Sequence, residues 1–176
     1  MKADAAPLEM ETDRLLVHTL APGDEGRLQR VFEACADHFT VLTGQRLTPD
    51  AARHELAACA ATPGRGVAVL TLAESGEDVG AVGWWLGNPE PDRALLGMLM
   101  IHPAHRRQGL AREALEALQV WLRGRGIAAV RTAFQRRRLA VHPIVRGLGF
   151  QELSIREHAL LGLGGVGVSL WEKPVG

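Results

Sequence analysis

Tyrosine is absent from this sequence of 176 residues, and lysine and cysteine occur only twice each. The missing tyrosine excludes a phenol as a proton donor or acceptor anywhere in the chain. The two thiols, Cys35 and Cys59, are too few for a disulfide framework, so we expect both to be reduced and buried, as in cytoplasmic proteins. With so little lysine, nearly all basic side chains are arginines.

Neither net charge nor a long apolar run directs the chain to a charged or lipid surface. The 20 basic and 20 acidic residues balance to a net charge of +0, which gives no electrostatic preference for nucleic acid or an anionic membrane. No apolar stretch approaches the roughly 20 residues that span a bilayer, and residues 1–7 lack the apolar core of a signal peptide. We expect one cytoplasmic domain over residues 1–176, with residues 1–11 as a loose tail and with neither membrane nor nucleic acid as a partner.

Hydrophobic periodicity predicts strands and helices in the order β-α-α-β-β-β-α-β-α-β-β. The predicted strands cover residues 13–20, 67–72, 79–86, 94–101, 127–134, 150–155 and 166–171, the last two forming a closing hairpin. The predicted helices cover residues 25–37, 48–61 and 109–123, with a short one near 142–149, and residues 38–48 are predicted as a loop. Strand 94–101 contains almost no polar residue, which is typical of a central strand covered on both faces.

Residues 98–112 carry the clearest functional signal. An apolar strand ends at Pro103, a short basic loop follows, and Gly109 opens a long amphipathic helix. The first helical turn has backbone N–H groups without intrahelical acceptors, and the helix dipole adds about half a positive charge there. Because glycine lets an anion approach the main chain, this strand–loop–helix unit predicts a seat for a phosphate or pyrophosphate.

Two other patterns have competing interpretations. Residues 162–167 fit the dinucleotide-binding pattern G-x-G-x-x-G, but no helix follows them, so a flexible hairpin tip is the better interpretation. Such a hairpin could support a homodimer. The arginines at 136–138 fit either a nucleic-acid patch or a solvated loop that touches a phosphate, and the neutral net charge favours the loop.

The order of elements and three short motifs resemble the GNAT family of acetyl-CoA-dependent N-acetyltransferases. Residues 99–111, L-M-I-H-P-A-H-R-R-Q-G-L-A, resemble the family pattern L-x-V-x-P-x-x-[RQ]-x-x-G-x-[GA]. Residues 147–150, G-L-G-F, and the opening residues 11–17, E-T-D-R-L-L-V, are also similar to family motifs. The resemblance implies an α/β (α+β) GNAT fold, in which a central mixed, mostly antiparallel sheet of about seven strands is flanked by four helices.

The same resemblance implies acetyl-CoA as a co-substrate and implies no metal. Backbone groups at the end of the central strand would pair with the pantetheine arm, loop amides would hold the pyrophosphate, and two arginines could meet the 3′-phosphate. The strand residues are Leu99, Met100 and Ile101; the loop amides belong to Arg107, Gln108, Gly109, Leu110, Ala111 and Arg112; the two arginines are Arg106 and Arg112.

Three positions depart from the family pattern. Leu95 lies in the strand where the family often carries a glutamate as general base, and Arg138 and Val145 stand where an asparagine and a tyrosine are frequent. The usual acid for the leaving thiolate is therefore missing. Two hypotheses stay open: an N-acetyltransferase that moves an acetyl group directly to a primary amine, and a non-catalytic acyl-CoA-binding or regulatory module on the same fold.

No residue is singled out as the catalyst, but several are candidates. Asp37 and His38 lie at the predicted end of the first helix, which in the GNAT family borders the acceptor site, and His142 begins the short fourth helix. These three are candidate catalytic residues, whereas Asp37, Phe39 and Trp84 are candidates for binding the acceptor. The acceptor itself, a small-molecule or peptide amine, is left open because a fold does not fix a substrate.

Overall fold

A computed structural model of the chain describes residues 7–88, 90–161 and 167–176. Within these ranges eight strands form one sheet, and six α-helices accompany it. The strands are β1 (Glu9–Glu11), β2 (Leu15–Thr19), β3 (Arg65–Leu72), β4 (Asp78–Leu86), β5 (Arg93–Ile101), β6 (Ala129–Gln135), β7 (Gln151–Glu152) and β8 (Val168–Pro174). The α-helices are α1 (Glu25–Ala34), α2 (Ala36–Thr43), α3 (Ala51–Ala61), α4 (Leu110–Arg123), α5 (His142–Gly147) and α6 (Ile155–Leu161), with 3₁₀ turns at Pro103–His105 and Leu139–Val141.

The strands lie in the order β1-β2-β3-β4-β5-β6-β8-β7. All neighbouring strands are antiparallel except β5 and β6, which are parallel and are connected through α4. β8 follows β7 in the chain, yet it lies between β6 and β7. The predicted class, α/β with a mixed and mostly antiparallel sheet, is confirmed. The described residues form eight strands and six α-helices, against a prediction of about seven and four.

Helices pack on both faces of the sheet. α4 presents Leu115, Leu118 and Leu122 to one face, where all three are fully buried. Apolar residues three and four positions apart form one stripe along a helix, which is why this face of α4 turns inward. α1 and α3 cover the other face with a second cluster that includes Phe32 and Leu56. Burying each of these side chains stabilises the fold by about 1.5–3 kcal/mol relative to exposing it.

The N-terminal boundary of the fold differs from the prediction. Residues 1–11 are predicted as a loose tail, but β1 pairs with β2 from Glu9 onwards, which corrects this boundary. Leu8 is fully buried, and the hydroxyl of Thr19 both accepts from its N–H at 2.8 Å and donates to its C=O at 3.0 Å. A three-residue strand with two glutamates has no recognisable strand pattern. Residues 1–6 lie outside the described part of the chain.

The predicted helix 25–37 and loop 38–48 are also corrected. α1 ends at Ala34, the chain turns at Cys35, and α2 then covers much of the predicted loop. α2 lacks a fully buried side chain, and it contains β-branched threonine and valine, which have lower helix propensity. Without an apolar stripe, periodicity cannot detect it.

The prediction of a closing hairpin is right about the pairing of the two strands but wrong about the segment that connects them. β7 and β8 pair antiparallel, but β7 is only two residues long and α6 follows it. Ser154 and Glu157 form a capping box at the start of α6: the Glu157 N–H donates to Ser154 Oγ at 3.2 Å, and the Ser154 N–H donates to Glu157 Oε2 at 2.6 Å. Of the predicted hairpin tip, residues 162–167, only Gly167 lies among the described residues.

Gly80 tests how closely β4 and β5 approach each other. A Cβ atom on Gly80 would collide with the carbonyl oxygen of Met100, so Gly80→Ala must displace main chain inside the sheet. We expect the free energy of unfolding, measured by urea denaturation, to fall by about 1–3 kcal/mol. The control is Gly26→Ala on α1, where the nearest atom would lie 3.6 Å away. Helix propensity should make that variant about 0.5–1 kcal/mol more stable, and equal stability of both variants would contradict the close approach.

Candidate active site

The two parallel strands at the centre of the sheet separate after three paired residues. β5 and β6 pair only from Arg93 to Leu95, and beyond Leu95 no described strand pairs with this edge of β5. At the point of separation the hydroxyl of Thr132 donates to the carbonyl of Leu96 at 3.3 Å. The edge of β5 at residues 97–100 therefore faces a wedge-shaped opening, the β5–β6 gap, in which main-chain groups lack a neighbouring strand.

β5 carries a bulge at the mouth of this gap. Gly83 of β4 pairs with Met98, but the next residue, Trp84, pairs with Leu96, so Gly97 has no partner in β4. Gly97 is exposed even though it lies in the middle of the sheet. Bulges bend a strand, re-aim its groups and are common beside active sites. Gly97 thus presents bare main chain at the gap.

The loop after β5 holds its main chain in an uncommon conformation. His102 accepts a hydrogen bond from the N–H of Ala104 through Nδ1 at 3.0 Å and so caps the turn Pro103–His105. Arg107 and Gly109 then adopt left-handed backbone angles, with φ of 60° and 84°. Glycine adopts this conformation freely, whereas for Arg107 it costs about 1 kcal/mol or more.

The main-chain N–H groups of residues 107–112 form a row of donors. Within the described ranges, no residue accepts a hydrogen bond from any of them. Residues 110–112 are the first turn of α4, where the helix dipole adds about half a positive charge. The residues predicted to hold a pyrophosphate therefore combine unpaired donors with positive potential, which is the arrangement that binds an anion.

A hydrogen-bond network centred on Glu113 holds this loop from the N-terminal side. Glu113 on α4 accepts from the Thr12 hydroxyl at 2.6 Å, the Arg14 N–H at 2.8 Å and Arg14 Nε at 2.7 Å. Arg14 Nη1 also donates to the carbonyl of Gln108 at 2.7 Å. Partial burial raises the pKa of Glu113, but these hydrogen bonds outweigh it and the pKa lies below its ordinary value.

The sequence-based site prediction does not contain Thr12, Arg14 or Glu113. The signal that could have found two of them is the opening motif E-T-D-R-L-L-V, which includes Thr12 and Arg14. Their contact with α4 joins positions about a hundred residues apart, for example 101 between Thr12 and Glu113. Local pattern cannot reveal such a contact.

Arg106 connects the loop to α2. Its Nε donates to the carbonyl of Ile101 at 2.8 Å, and its two Nη atoms contact the two carboxylate oxygens of Asp37, one of them at 2.9 Å. The Arg106 guanidinium holds the pKa of Asp37 below its ordinary value of 3.8. The pair is exposed, with 37% and 52% of the two side chains accessible, so it contributes at most about 1 kcal/mol. A predicted CoA residue and a predicted acceptor residue thus form one ion pair.

The other two predicted residues of this region, His38 and Phe39, are half-buried on α2. Phe39 packs edge-to-face against Phe32, with ring centroids 5.0 Å apart. It also lines a cavity of about 410 Å³ between α2 and α3, together with Leu47 and Arg65. Burial lowers the pKa of His38 to about 4, so its imidazole is neutral at physiological pH.

Trp84 is a core residue, which corrects its prediction as an acceptor-binding side chain. Only 5% of it is exposed, and its ring packs edge-to-face on Trp121 of α4 at 5.1 Å. Its neighbour Trp85 lies on the opposite face of β4, half-buried between Arg65 and Leu95 of the adjacent strands. Alternation along the strand predicts opposite faces for the two tryptophans, but packing decides which is inside.

His142 begins α5, but its ring is already engaged. It contacts Phe134 and Trp171 edge-to-face, with centroids 5.2 and 5.5 Å away. Its Nε2 lies 3.1 Å from the carbonyl oxygen of Arg136, so Nε2 carries the proton and donates it to that oxygen. These contacts favour a structural role, and catalysis by His142 stays a prediction without support from its surroundings.

The G-L-G-F motif fixes the end of α5. Arg112 donates to the carbonyl of Gly147, and Lys173 Nζ donates to the carbonyl of Leu148 at 2.9 Å, so two cations satisfy the last carbonyls of the helix. Phe150 is 2% exposed and belongs to the core under α4. Because Arg112 already donates to the end of α5, its contact with a 3′-phosphate stays a prediction.

The three positions that depart from the family pattern supply none of the family's frequent catalytic groups. Val145 on α5 is 8% exposed within the core, so it supplies no polar group where a tyrosine is frequent. Leu95, half-buried on β5, supplies no carboxylate. Arg138 lies against Gly44 at the end of α2.

The described part of the chain, residues 7–88, 90–161 and 167–176, offers no cluster of metal ligands. It contains no group of three or more His, Cys, Asp or Glu side chains arranged to hold a metal ion. None of the helices in these ranges combines the length and the apolar character needed to cross a bilayer.

Comparisons with known proteins agree with this architecture. The model of the acetyltransferase (GNAT) family matches residues 31–150. An acetyltransferase structure from Thermus thermophilus superposes with a TM-score of 0.76 at 24% identity, covering 94% of this chain and 99% of that one. The GNAT domain of S. lividans PAT gives 0.70 at 17% identity, with 95% and 97% covered. A GNAT-family acetyltransferase from Bacillus anthracis gives 0.67 at 13% identity, with 95% and 98% covered. No curated protein sequence matches significantly.

The structural neighbours share too little sequence to show more than the fold. The family match spans well over half of the chain and includes both strands of the β5–β6 gap, the loop and α4. The chain therefore belongs to the acetyltransferase (GNAT) family, whose members transfer acyl groups from acyl-CoA.

Proposed function

We propose that this chain is an acetyl-CoA-dependent N-acetyltransferase that moves the acetyl group directly to a primary amine. The observation that carries the proposal is the continuity of the β5–β6 gap with the row of unpaired N–H groups at residues 107–112. An extended pantetheine arm can add to an open strand edge. The pyrophosphate at the end of that arm needs main-chain donors, and the row supplies them.

The chain has free groups for some parts of acetyl-CoA, whereas other predicted contacts are already taken by protein partners. The open edge at Leu99 and Met100 offers main-chain groups to the arm, whereas the carbonyl of Ile101 already accepts from Arg106. Arg106 and Arg112 both have protein partners, but within the described ranges Arg107 has none. Arg107 is therefore the arginine best placed to meet a further phosphate.

Acetyl-CoA supplies a thioester whose carbonyl carbon bonds to the amine nitrogen as the C–S bond breaks and the thiolate leaves. A backbone N–H group beside the Gly97 bulge can donate a hydrogen bond to the thioester carbonyl and so polarise it. A thiol with a pKa of about 8.5 leaves tolerably as its anion near neutral pH. The absent tyrosine therefore removes only the roughly 10²–10⁴-fold that a general acid supplies.

Neither of the two candidates on α2, Asp37 and His38, is suited to deprotonating the amine. An alkylammonium has a pKa of about 10.4, whereas the pKa of Asp37 lies below 3.8 and that of His38 is about 4. At pH 7 only about four amine molecules in ten thousand are unprotonated, so deprotonating the amine costs about 4.6 kcal/mol. Positioning can supply about 7–11 kcal/mol, so attack by the free amine is sufficient. On this account the proton goes to water, and Asp37 binds the amine rather than deprotonating it.

Release of the CoA thiol tests the proposed function. The full chain is incubated with acetyl-CoA and a panel of amino acids, peptides, polyamines and antibiotic amines, and the acetylated product is identified by mass spectrometry. We expect calorimetry to detect acetyl-CoA binding at sub-millimolar concentration and at least one amine to accelerate thiol release. A chain that does not bind acetyl-CoA would reject the proposal.

A non-catalytic acyl-CoA-binding module is the second candidate. Leu95 and Val145, which replace a frequent glutamate and tyrosine, favour it. This candidate predicts the same acetyl-CoA binding but no thiol release with any amine. Amine-dependent release would eliminate it.

Gly109→Glu should abolish CoA binding, because it places bulk and negative charge at the donor row. Gly126→Glu is the matched control: Gly126 follows the other end of α4 and also has a positive φ, 74° against 84° for Gly109. Both variants therefore carry similar backbone strain and the same added charge. We expect similar losses of thermal stability and a loss of CoA affinity, measured by calorimetry, only for Gly109→Glu. Unchanged affinity in that variant would place the pyrophosphate elsewhere.

Asp37→Asn separates amine binding from base catalysis. If Asp37 binds the ammonium, the variant should raise the KM for the amine several-fold and leave the shape of the pH–rate profile unchanged. The rate should rise with pH towards the pKa of the amine in both proteins, because the carboxylate of Asp37 is ionised throughout this range. A fall in kcat of about 10²-fold or more, with a displaced acidic limb, would instead identify Asp37 as the base.

A further inference from the structure

We propose that Arg14 is a positioning residue for the CoA loop: by holding the carbonyl of Gln108, it aims the N–H of Gly109 towards the pyrophosphate. This role rests on the proposed function, since it concerns how the same loop binds CoA. Arg14 lies just before β2, 94 residues from Gln108 in the sequence. It lies in the opening motif E-T-D-R-L-L-V, but it is not among the residues that the family resemblance implies for binding CoA.

One peptide group carries the effect. Arg14 Nη1 donates to the carbonyl oxygen of Gln108 at 2.7 Å. In a trans peptide the C=O and the following N–H lie in one plane and point in opposite directions. Holding the Gln108 carbonyl on the Arg14 side therefore turns the Gly109 N–H to the opposite side. Among the described residues nothing accepts from that N–H, so it is available to an anion.

The guanidinium that makes this contact has a fixed orientation. Its Nε and Nη2 both lie 2.7 Å from Glu113 Oε2. Glu113 is in turn held by the Thr12 hydroxyl and the Arg14 N–H. Only 15% of the Glu113 side chain is exposed, against 46% for Arg14, so the carboxylate end of the network is well shielded from water. Because the guanidinium group is planar, its contact with Glu113 fixes the direction in which Nη1 donates to the Gln108 carbonyl.

The network also explains how the loop keeps a strained residue. Arg107 and Gly109 are left-handed on either side of Gln108, and such strain persists where the surroundings over-determine it. Arg14 ties down the residue between them. A cationic donor on the Gln108 carbonyl also polarises the peptide, which makes the Gly109 N–H a stronger donor.

Positioning must be separated from simple attraction, because any cation near the loop raises the local concentration of phosphates. Replacing Arg14 by lysine or by methionine separates the two effects. Lysine keeps the charge, but a single ammonium group cannot reproduce the fork that spans Glu113 and the Gln108 carbonyl. Methionine removes the charge and retains an aliphatic stem.

The experiment measures the binding of CoA and of pantetheine, which lacks the pyrophosphate, to the full chain. CoA is titrated by calorimetry, and pantetheine is measured as its competitor. We expect Arg14→Met to weaken CoA binding about tenfold and Arg14→Lys to weaken it nearly as much. Pantetheine should bind the wild type and both variants equally, because it does not touch the loop.

The control is Arg65→Met. Arg65 Nη2 donates to both carboxylate oxygens of Glu55, at 3.1 and 2.9 Å, and this pair joins β3 to α3. Arg65 lies opposite Trp85, which pairs with Leu95, so it is at the end of the β4–β5 pair away from the loop. Its loss should lower thermal stability and leave CoA affinity unchanged.

Three results would overturn the inference: wild-type CoA affinity in Arg14→Met, wild-type affinity in Arg14→Lys, or equal losses for CoA and pantetheine. The second would assign the effect to charge alone, and the third to a general structural defect. Failure of the wild type to bind CoA would reject the proposed function instead, so the two failures are distinguishable.

Discussion

A sheet whose two central strands part after Leu95 must leave main-chain hydrogen-bonding groups without a strand partner. Such a group costs about 1–3 kcal/mol if it is buried and unpaired, so the opening has to stay in contact with water or with a ligand. Gly97 keeps it accessible at the bulge, and side chains satisfy the carbonyls at both ends: Thr132 at Leu96 and Arg106 at Ile101. The bulge at Gly97 and the loop residue Arg106 both serve this one requirement.

The two sides of the loop are held with different strength. On the side of α2 the Arg106–Asp37 pair is exposed and contributes at most about 1 kcal/mol. On the N-terminal side Glu113 is largely shielded and accepts three hydrogen bonds. We therefore expect the geometry of the donor row to depend mainly on the N-terminal segment, and α2 to be the more easily displaced partner. A weakly held α2 is compatible with the proposed role of Asp37 in binding the amine.

The elements with strong local signals could be predicted, and those defined by distant contacts could not. The apolar stripe of α4 and the proline and glycine around the loop predict a strand–loop–helix unit before any family is considered. α2 has no such stripe, whereas α6 carries a capping box that is readable in the sequence. Arg106 is predicted to meet a phosphate, but its contact with Asp37 spans 69 residues, which no local pattern encodes. The prediction for Trp84 is wrong because alternation cannot say which face lies against α4.

The position of β8 has a consequence for how the chain is made. β8 lies between β6 and β7 although it is synthesised after both, so neither can pair with this neighbour until residues 168–174 have left the ribosome. The meander from β1 to β5 has only sequential neighbours and can form earlier. During this interval β6 exposes an unpaired edge and the hydrophobic cluster that Trp171 later completes. Nascent chains stalled at this stage should be the species most prone to aggregate and most dependent on chaperones.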